Sequence, residues 1–564
     1  MSKKNITTEN TNAKKQSGFS VAAGLIVLVR PLIFFMTCAV LFGTLGHLCA
    51  LAIPALGGYA LLAVKQPDFP LALKTIFIAA AVLALLRGIL HYIEQTLNHY
   101  IAFKLLAVIR DKVFQVLRKL CPAKLEGRDK GNLISLITSD IELLEVFYAH
   151  TISPVAISAL FTFAVCAFLF RFHYEYALIA LSSHIAVGIV IPLVTSKYSG
   201  RTGDDFRSGA GDLSSHVLES LRGLFEILQY GTGNKRLKEM NEKSAHLLAV
   251  QQKMKLIEGR NGAASSAVIL IFDALTLFVG AILFKKGVLD FHGVLIPFIV
   301  VMSSFGPAAA LANLGSSLQN TFAAGSRILD ILAEKPETVD IAGKPETKFT
   351  GAAAEDVYFD YGDEQVLSGV NIAFSQNKII GIAGKSGSGK STLLKLLMRF
   401  WSVKSGAVHI SGKNIDDVNT SDLRAMESYV TQETHLFRDS IENNVKIAKL
   451  DASHEEVVAA CKKACVHDFI MSLTNGYDTP AGELGSALSS GERQRLGLAR
   501  AFLHGGDFML FDEPTSNLDS LNEAGILKSI KEEKGSGTVV LVSHRESSMR
   551  IADEVFGIEN ERQS

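Results

Sequence analysis

The chain has 564 residues, which is too long for one domain and suggests three or four domain-sized units. Its mean hydropathy of +0.26 is high for a soluble protein and low for one wholly embedded in a membrane. The 56 basic residues balance the 56 acidic ones, and this balance argues against nucleic acid as a partner. The six scattered cysteines fit no disulfide framework or structural zinc site and indicate reduced thiols.

Residues 1–20 are mostly polar and lysine-containing, and they are predicted to form a cytoplasmic tail rather than a secretory signal peptide. Residues 21–333 follow and are dominated by long apolar stretches. Six of these stretches have about the 20 residues needed to span a bilayer. They are approximately Leu32–Val64, Leu71–His91, Ile152–Phe170, Tyr176–Val194, Ala263–Phe284 and Phe291–Leu311.

The charges of the connecting segments orient these spans. Lysine and arginine are concentrated in the long segments after the second and fourth spans, whereas the other connections are short. The positive-inside rule places both long segments, the N-terminus and everything after the sixth span in the cytoplasm. The fold expected for residues 21–333 is therefore an α-helical six-span transmembrane domain with two cytoplasmic excursions.

Polar residues inside membrane spans are rare and are candidates for internal pairs or functional sites. Four of them recur at helical spacing on one face of the second span: Arg87, His91, Glu94 and Asn98. They either form an internal ion pair where the helix leaves the bilayer or line a cavity for an anionic or zwitterionic substrate. Asp273 in the fifth span either completes such a cavity with His47 and His184 or pairs with Arg87.

Residues 334–350 contain two prolines and are predicted to be a linker, and residues 351–564 alternate strands with helices as an α/β domain does. Within this domain Gly384–Ser391, with the sequence GKSGSGKS, matches the phosphate-binding loop pattern at every fixed position. An apolar run precedes it and a helix-like run follows it. Its glycines let backbone N–H groups point at anionic oxygens, and the helix N-terminus adds partial positive charge. The pattern predicts binding of a nucleoside triphosphate.

Every residue of this loop is a candidate contact of ATP. Lys390 is expected to reach the β- and γ-phosphates, and the Ser391 hydroxyl is expected to coordinate Mg²⁺. The candidate nucleotide-binding residues here are Gly384, Lys385, Ser386, Gly387, Ser388, Gly389, Lys390, Ser391 and Thr392.

A second motif, Phe508–Glu513, is an apolar run that ends in two acidic residues. A buried strand with this sequence would bring Asp512 to Mg²⁺ through its water shell, next to Ser391. Glu513 would then lie where a carboxylate can polarise the attacking water. Together with the phosphate loop, this motif predicts an ATPase.

Between the two motifs lies Leu488–Glu492, with the sequence LSSGE, directly before a helical run. It resembles the LSGGQ signature of ATP-binding cassette (ABC) transporters. In that family the signature of one subunit closes over ATP held by the other subunit. The resemblance therefore makes Ser489, Ser490, Gly491 and Glu492 candidate contacts of the partner's nucleotide.

Other elements of the family follow in the expected order. Tyr361 resembles the aromatic residue that stacks on adenine, and Gly482–Gly485 resembles the short loop that contacts the coupling helices. Ser516–Asp519 resembles the dimer-contacting loop, and the resemblance adds Asp519 to the nucleotide-binding candidates. The implied catalytic residues are Glu513, His544 and Gln432, and the implied Mg²⁺ ligands are Ser391, Gln432 and Asp512.

Six spans fused to one C-terminal cassette resemble the half-transporters of the exporter-type ABC fold, and more loosely the cysteine and glutathione exporter subunits of cytochrome bd assembly. In that architecture two chains are required, and the coupling helices would lie near Leu125–Ile134 and Leu213–Arg222. Ser490 stands where the family has glycine. Irregular signatures of this kind often occur in the hydrolysis-competent subunit of a heterodimer, so a heterodimer is favoured over a homodimer.

The leading hypothesis is an ATP-driven transporter subunit that moves an unidentified small solute across the cytoplasmic membrane. Its implied partners are a second half-transporter, the lipid bilayer and a small-molecule substrate. An exporter-shaped importer of a metallophore and an ATP-gated channel or regulator are the alternatives. A soluble DNA-repair or translation ATPase is a different class, and the six predicted spans argue against it.

Overall fold

The computed structural model describes residues 18–65, 70–128, 130–312, 315–362, 364–482, 488–516, 518–535 and 537–558. Most of the predicted N-terminal tail lies outside these residues. The chain divides into two compact units. The membrane unit contains the residues up to Arg118 together with Gly127–Glu334, and the cassette unit contains Lys119–Glu126 together with the residues from Lys335 onward.

The membrane unit is built of α-helices. In chain order they are α1 (Gly18–Leu28), α2 (Ile33–Lys65), α3 (Leu73–Leu120), α4 (Lys130–Ser135), α5 (Ile141–Phe147), α6 (Ser153–Phe170), α7 (Tyr174–Ile185), α8 (Ile191–Arg222), α9 (Leu224–Gln229), α10 (Gly233–Lys285), α11 (Phe291–Ser303), α12 (Gly306–Ala312) and α13 (Gly315–Ala333). Short π-helical turns at Leu136–Asp140, Tyr148–Ile152 and Ala186–Val190 connect several of them.

Six helical segments among the described residues are long and apolar enough to cross a membrane, which confirms the six predicted spans. They are Arg30–Lys65, Leu73–Leu120, Gly131–Phe170, Tyr174–Thr195, Gly233–Lys285 and Phe291–Ala312. Helices α3 and α10 have 48 and 53 residues and continue far beyond their apolar stretches. Their extensions are rich in Leu, Lys, Glu and Gln, which favour helix in water as well as in lipid.

The predicted coupling segments differ from the observed helices. Leu213–Arg222 forms the end of α8 rather than a separate helix, because the helix ends only at Gly223. The separate short helix of this excursion is α9, whose Leu224, Phe225 and Leu228 side chains are exposed. Leu125–Ile134 is divided between a turn and α4.

The sixth span is interrupted at Ser304 and Phe305, between α11 and α12. Pro307 explains the interruption, because it has no N–H for the carbonyl four residues earlier and fits best in the first turn of a helix. Phe305 and Ala308 nevertheless remain in the apolar core of the membrane unit, together with Phe161 of α6 and Ile296 of α11.

The cassette unit combines two sheets with helices. Its strands are β1 (Gly351–Tyr361), β2 (Glu364–Ser375), β3 (Ile379–Ala383), β4 (Ser405–Ile410), β5 (Lys413–Asn414), β6 (Glu427–Val430), β7 (Phe508–Asp512), β8 (Thr538–Val542) and β9 (Glu554–Gly557). Its helices are α14 (Lys390–Leu397), α15 (Thr420–Met426), α16 (Ile441–Lys446), α17 (His454–Lys463), α18 (His467–Ser472), α19 (Ser490–His504), α20 (Ser520–Glu533) and α21 (Glu546–Met549).

A parallel sheet with the strand order β6-β7-β8-β3-β9 positions the candidate site. Strands β7 and β8 are buried along their whole length, as expected of continuous apolar runs covered on both faces. Because the strands are parallel, the loops after β3, β6, β7 and β8 meet at the same carboxyl edge. A second, antiparallel sheet has the order β2-β1-β4-β5.

The segment Lys119–Glu126 belongs to the cassette unit. Glu126 forms an ion pair with Lys395 on α14, and Lys124 forms one with Glu337 at 2.9 Å. The pair with Lys395 attaches the segment to the helix that starts at the phosphate-binding loop.

Candidate ATP site

The loop between β3 and α14 is curled by two glycines with positive φ angles. Gly387 has φ 82° and Gly389 has φ 96°, a backbone region that favours glycine. A Cβ atom on Gly389 would lie 2.6 Å from Cδ2 of Leu367. Any other residue at this position would therefore displace the loop.

Polar groups of this loop fit a triphosphate. The Lys390 ammonium donates to the carbonyl oxygens of Gly384 and Lys385 at 2.9 and 2.8 Å. The Ser388 hydroxyl is buried and has no hydrogen-bond partner, although an unsatisfied buried hydroxyl is costly. Phosphate oxygens would satisfy Ser388 and accept from Lys390, whereas Ser386 is exposed at the outer surface of the loop.

Asp512 ends β7 at the same edge of the sheet. Its side chain is hydrogen-bonded to Ser391 and it is almost fully buried. Burial raises the pKa of Asp512, whereas the Ser391 hydrogen bond and the nearby lysines lower it. A hydroxyl and a carboxylate side by side are ligands that Mg²⁺ prefers, so these two residues fit the predicted metal.

The three predicted catalytic residues come together around one carboxylate. Oε1 of Glu513 lies 3.0 Å from Nδ1 of His544, and Oε2 accepts a hydrogen bond from Gln432 at 3.4 Å. The three residues follow β7, β8 and β6. Glu513 itself has φ 49°, a left-handed conformation that is uncommon for a residue other than glycine.

The LSSGE segment begins α19 with a capping box. The Ser489 hydroxyl accepts from the N–H of Glu492 at 3.3 Å, and the Glu492 carboxylate accepts from the N–H of Ser489 at 2.7 Å. Ser490 lies in the first turn and is exposed. Ser489 and Glu492 therefore bond to each other, and Ser490 faces outward.

Comparison with known proteins agrees with this geometry. Residues 36–307 match the model of the ABC transporter transmembrane region, and residues 367–516 match the ABC transporter model. A probable ABC transporter ATP-binding/permease protein of Haemophilus influenzae is 45% identical over 98% of this chain and 100% of its own length. The chain belongs to the ABC transporter family.

More distant relatives extend the comparison. An ATP-dependent lipid A-core flippase of Haemophilus influenzae is 28% identical to this transporter over 86% of the chain and 84% of the flippase. The solved structure of a bacterial Atm1-family ABC exporter with ATP bound has a TM-score of 0.81 and 22% identity, and the match covers 94% of both chains. The exporter fold is therefore confirmed.

These findings establish the class of the protein. It is an exporter-type half-transporter, with a multi-pass membrane domain and a cytoplasmic cassette that binds ATP. It is an ATPase whose hydrolysis is coupled to transport. Transporters of this type act as dimers in the lipid bilayer.

One residue that the motifs did not single out holds the backbone of Glu513. Gln494 of α19 is 2% exposed, and its amide donates to the carbonyl oxygen of Glu513 at 2.7 Å and to the Ser516 hydroxyl at 3.2 Å. Gln494 shares a helix face with the buried Leu498 and Ala501. A lone polar residue on this apolar face was the signal available in the sequence.

Tyr361 lies at the expected adenine end of the transporter's loop. Its hydroxyl is 3.3 Å from the Thr392 hydroxyl at the start of α14. Its ring packs edge-on against Phe359 and Trp401, at centroid distances of 4.8 and 5.0 Å. These contacts fix the Tyr361 ring beside the phosphate loop.

The dimer-contacting loop is only partly described. Asp519 accepts hydrogen bonds from the N–H groups of Leu521 and Asn522 at 3.0 and 2.9 Å, and so caps α20. The bond from the Asn522 backbone is the main cause that lowers the pKa of Asp519. Asn517 and residues 483–485 of the predicted short loop lie outside the described residues.

The predicted polar face of the second span is partly paired within itself. Nδ1 of His91 lies 3.1 Å from Oε2 of Glu94, and Asn98 donates to Oε1 of Glu94 at 3.4 Å. These contacts favour the ion-pair alternative for these three residues. Arg87 takes no part in these contacts, and within the described part of the chain no ion pair joins it to Asp273. The Oδ1 atom of Asp273 is buried without a hydrogen-bond partner.

His184, the other histidine considered for a cavity, bridges three spans. Its Nδ1 lies 3.0 Å from the Thr162 hydroxyl, and its Nε2 lies 2.9 Å from the Ser304 hydroxyl at the interruption of the sixth span. Ser304 in turn donates to the Val301 carbonyl. Both ring nitrogens of His184 are therefore engaged by the protein.

Proposed function

We propose that this chain is one half of a dimer that uses ATP hydrolysis at Glu513 to move a small solute across the cytoplasmic membrane. The observation that carries the proposal is the Glu513 carboxylate, which lies between His544 and Gln432 beside the phosphate loop. A carboxylate held in this way can accept a proton from the water that attacks the γ-phosphate. His544 can then donate a hydrogen bond to the phosphate.

The remaining residues of the site bind and orient the nucleotide. We assign Mg²⁺ to Ser391, Asp512 and Gln432, where it supplies positive charge against the β- and γ-phosphates. The Lys390 ammonium exchanges its two carbonyl acceptors for phosphate oxygens, which form stronger, charge-assisted hydrogen bonds. Tyr361 offers a fixed aromatic surface to adenine.

Two segments are proposed to connect ATP binding with the spans. Lys119–Glu126 is attached by the Glu126–Lys395 ion pair to α14, which starts at the phosphate loop. Helix α9 has exposed Leu and Phe side chains that are unusual for a water-facing surface. We assign α9, rather than Leu213–Arg222, to the second coupling position.

The irregular signature supports a heterodimer. Ser490 is exposed in the first turn of α19, so its side chain faces the position that the family gives to the partner's γ-phosphate. The added atoms would crowd that nucleotide, while this chain's own site retains Glu513 and His544. Full ATPase activity from this chain purified alone would contradict the heterodimer.

An amphipathic lipid is the second candidate substrate. The flippase relative moves lipid A-core by its name, and a groove of about 690 Å³ lies between α6 and α7. Its lining is mostly apolar and includes Phe163, Phe170 and Leu181, which suits an acyl chain. Two alternatives remain. A metallophore importer would differ in the direction of transport, and an ATP-gated channel would differ in functional class.

Transport in inverted membrane vesicles tests the proposal. Vesicles with the full chain, co-expressed with its partner half-transporter, are incubated with a cell metabolite extract and ATP, and their contents are compared by mass spectrometry. Glu513→Gln should abolish ATP-dependent accumulation while retaining ATP binding, because the phosphate loop is unchanged. The exposed Glu532→Gln on α20 is the matched control and should transport normally.

Three other results would contradict the proposal. Undiminished accumulation with Glu513→Gln would remove Glu513 from hydrolysis. ATP-dependent loss of solute from the vesicles would indicate an importer. ATP-dependent ion conductance without any accumulation would indicate a channel.

A further inference from the structure

Three basic residues lie on facing parts of α2 and α3 in the membrane unit, and we refer to His47, Arg87 and His91 as the basic cluster. His47 lies at the middle of the span Arg30–Lys65. A Cβ atom on the neighbouring Gly46 would lie 3.8 Å from the backbone N of His91 on α3, and Arg87 is one turn away on the same face of that helix. Helices α2 and α3 approach closely here, because a Cβ atom on Gly46 would lie 3.5 Å from Cβ of Leu90.

The cluster lies at membrane depth rather than at the cytoplasmic surface. Arg87 is about 21 Å along α3 from Leu73, since a helix rises 1.5 Å per residue, and the hydrocarbon core is about 30 Å thick. Side chains lean towards the helix N-terminus, which is the outer end of α3. This lean directs Arg87 towards the midplane, which is the depth expected for His47 at the middle of its span.

The cluster adjoins the interruption of the sixth span. A Cβ atom on Gly306 would lie 3.9 Å from Nδ1 of His47, and the His47 ring is 5.9 Å from that of Phe161. Interrupted helices at the midplane are where transporters of several folds place their substrates.

The charges of the cluster are not balanced within the described residues. Glu94, the nearest acid along α3, is buried and bonded to His91 and Asn98. Arg87 has no carboxylate partner in the described part of the chain and is exposed, and the His91 side chain is 62% exposed. Within the described residues, Arg87 therefore gives the basic cluster a positive charge without a carboxylate partner, on an open face.

We propose that the basic cluster binds an anionic oxygen group of the transported substrate, with Arg87 as its main contact. An unpaired cation at this depth is expensive and calls for a counter-charge. The guanidinium fork matches a carboxylate or phosphate with two parallel hydrogen bonds. The inference rests on the proposed transport function and adds the chemical class of its substrate.

The anionic group has two possible sources, a water-soluble carboxylate or the phosphate of a lipid headgroup. Two probes distinguish them, with the full chain in its assembled form in phosphatidylcholine nanodiscs and without ATP. Carboxyfluorescein is the soluble carboxylate. Labelled phosphatidic acid is the lipid phosphate, and identically labelled phosphatidylcholine is its zwitterionic control. Fluorescence anisotropy measures binding of each probe.

Arg87→Gln should weaken binding of the anionic probe about ten- to a hundredfold, as expected for loss of charge-assisted hydrogen bonds. Arg87→Lys keeps the charge without the fork and should restore most of the affinity. Arg171→Gln removes an exposed arginine from the external end of α6 and is the matched control. It should bind like the wild type.

Three results would overturn the inference. They are the absence of preferential binding of either anionic probe by the wild type, unchanged binding by Arg87→Gln, and separation of the Arg87→Gln subunits in size-exclusion chromatography. The last result would show that Arg87 pairs with an acid of the partner. ATP hydrolysis by the wild type, measured in parallel, separates the two proposals: Arg87-dependent binding without hydrolysis would contradict only the proposed function.

Discussion

Replacing Gln494 by Met tests whether α19 positions the catalytic carboxylate. Met keeps the length of the side chain and removes the amide that donates to the carbonyl of Glu513 at 2.7 Å and to Ser516 at 3.2 Å. It leaves Asp512 and the phosphate loop untouched. We therefore expect a lower kcat with an unchanged KM for ATP.

The size of the effect follows from the contacts of the Glu513 backbone. Without Gln494 the Glu513 carbonyl retains, from the described residues, the N–H of Ser516 at 3.2 Å. Loss of a buried hydrogen-bond donor costs about 1–3 kcal/mol. Because the Glu513 carbonyl keeps its bond from Ser516, we expect a cost in the lower part of this range, about 1–2 kcal/mol. The left-handed conformation of Glu513 costs a further 1–2 kcal/mol or so and depends on such support. If about 1–2 kcal/mol of transition-state stabilisation by the Glu513 carboxylate is lost, kcat falls about 5- to 30-fold.

Steady-state ATPase assays on the full chain reconstituted with its partner half-transporter measure both constants. Ser428→Ala is the matched control, because Ser428 is equally buried and bonds to Ala501 and Gly506 at the other end of α19. It should lower stability similarly and leave kcat within about twofold. In a Glu513→Gln background Gln494→Met should have no further effect on the residual rate. A folded Gln494→Met variant with wild-type kcat, or an equal loss in Ser428→Ala, would refute the reasoning.

Two further predictions concern the cassette. Burial raises the pKa of Glu427 to about 8, against the opposing charge of Arg424, so the folded chain keeps a proton that the unfolded chain has released. The free energy of unfolding should therefore fall as the pH rises from about 4.5 to about 8. Glu427→Gln should raise the unfolding midpoint at a pH above about 8 and leave it unchanged at a pH below about 4.5, as measured by Trp401 fluorescence. Gly389→Ala should abolish binding of a fluorescent ATP analogue, because the added Cβ would lie 2.6 Å from the Leu367 side chain. Gly412 also has a positive φ, 72°, but has open space around it, so Gly412→Ala should bind the analogue normally. Equal losses in the two variants would indicate that backbone strain alone is responsible.

The membrane fold was largely predictable, because apolarity over about 20 residues is a direct requirement of the bilayer. The ends of the helices were not, since α3 and α10 continue through polar segments where helix propensity replaces apolarity. The position of α9 was missed for the same reason. Only the end of α8 at Gly223 separates it from the preceding helix.

The geometry of the phosphate loop was predictable, because it is set locally. A strand, a glycine loop and a helix follow one another in the chain, so Lys390 and Ser391 are placed by their neighbours. The support of Glu513 is not local. Gln494 is 19 residues away from it, and its role depends on how α19 packs beside β7. The sequence could not decide whether the polar face of the second span forms an internal ion pair or lines a cavity. In the structure Glu94 bonds to His91 and Asn98, whereas Arg87 is exposed.

Helix α19 connects two regions that we propose to act in ATP hydrolysis. Its first turn, with Ser490, is the exposed end that the family places over the partner's nucleotide, and Gln494 in the next turn holds the Glu513 carbonyl of the chain's own site. Four residues of helix rise about 6 Å, and a packed helix moves as a nearly rigid body. A displacement of the first turn by the partner's ATP would therefore reach Glu513 without an intermediate. For this reason we expect the Gln494→Met variant to lower the Hill coefficient of ATP hydrolysis together with kcat, because this amide joins α19 to the Glu513 carbonyl.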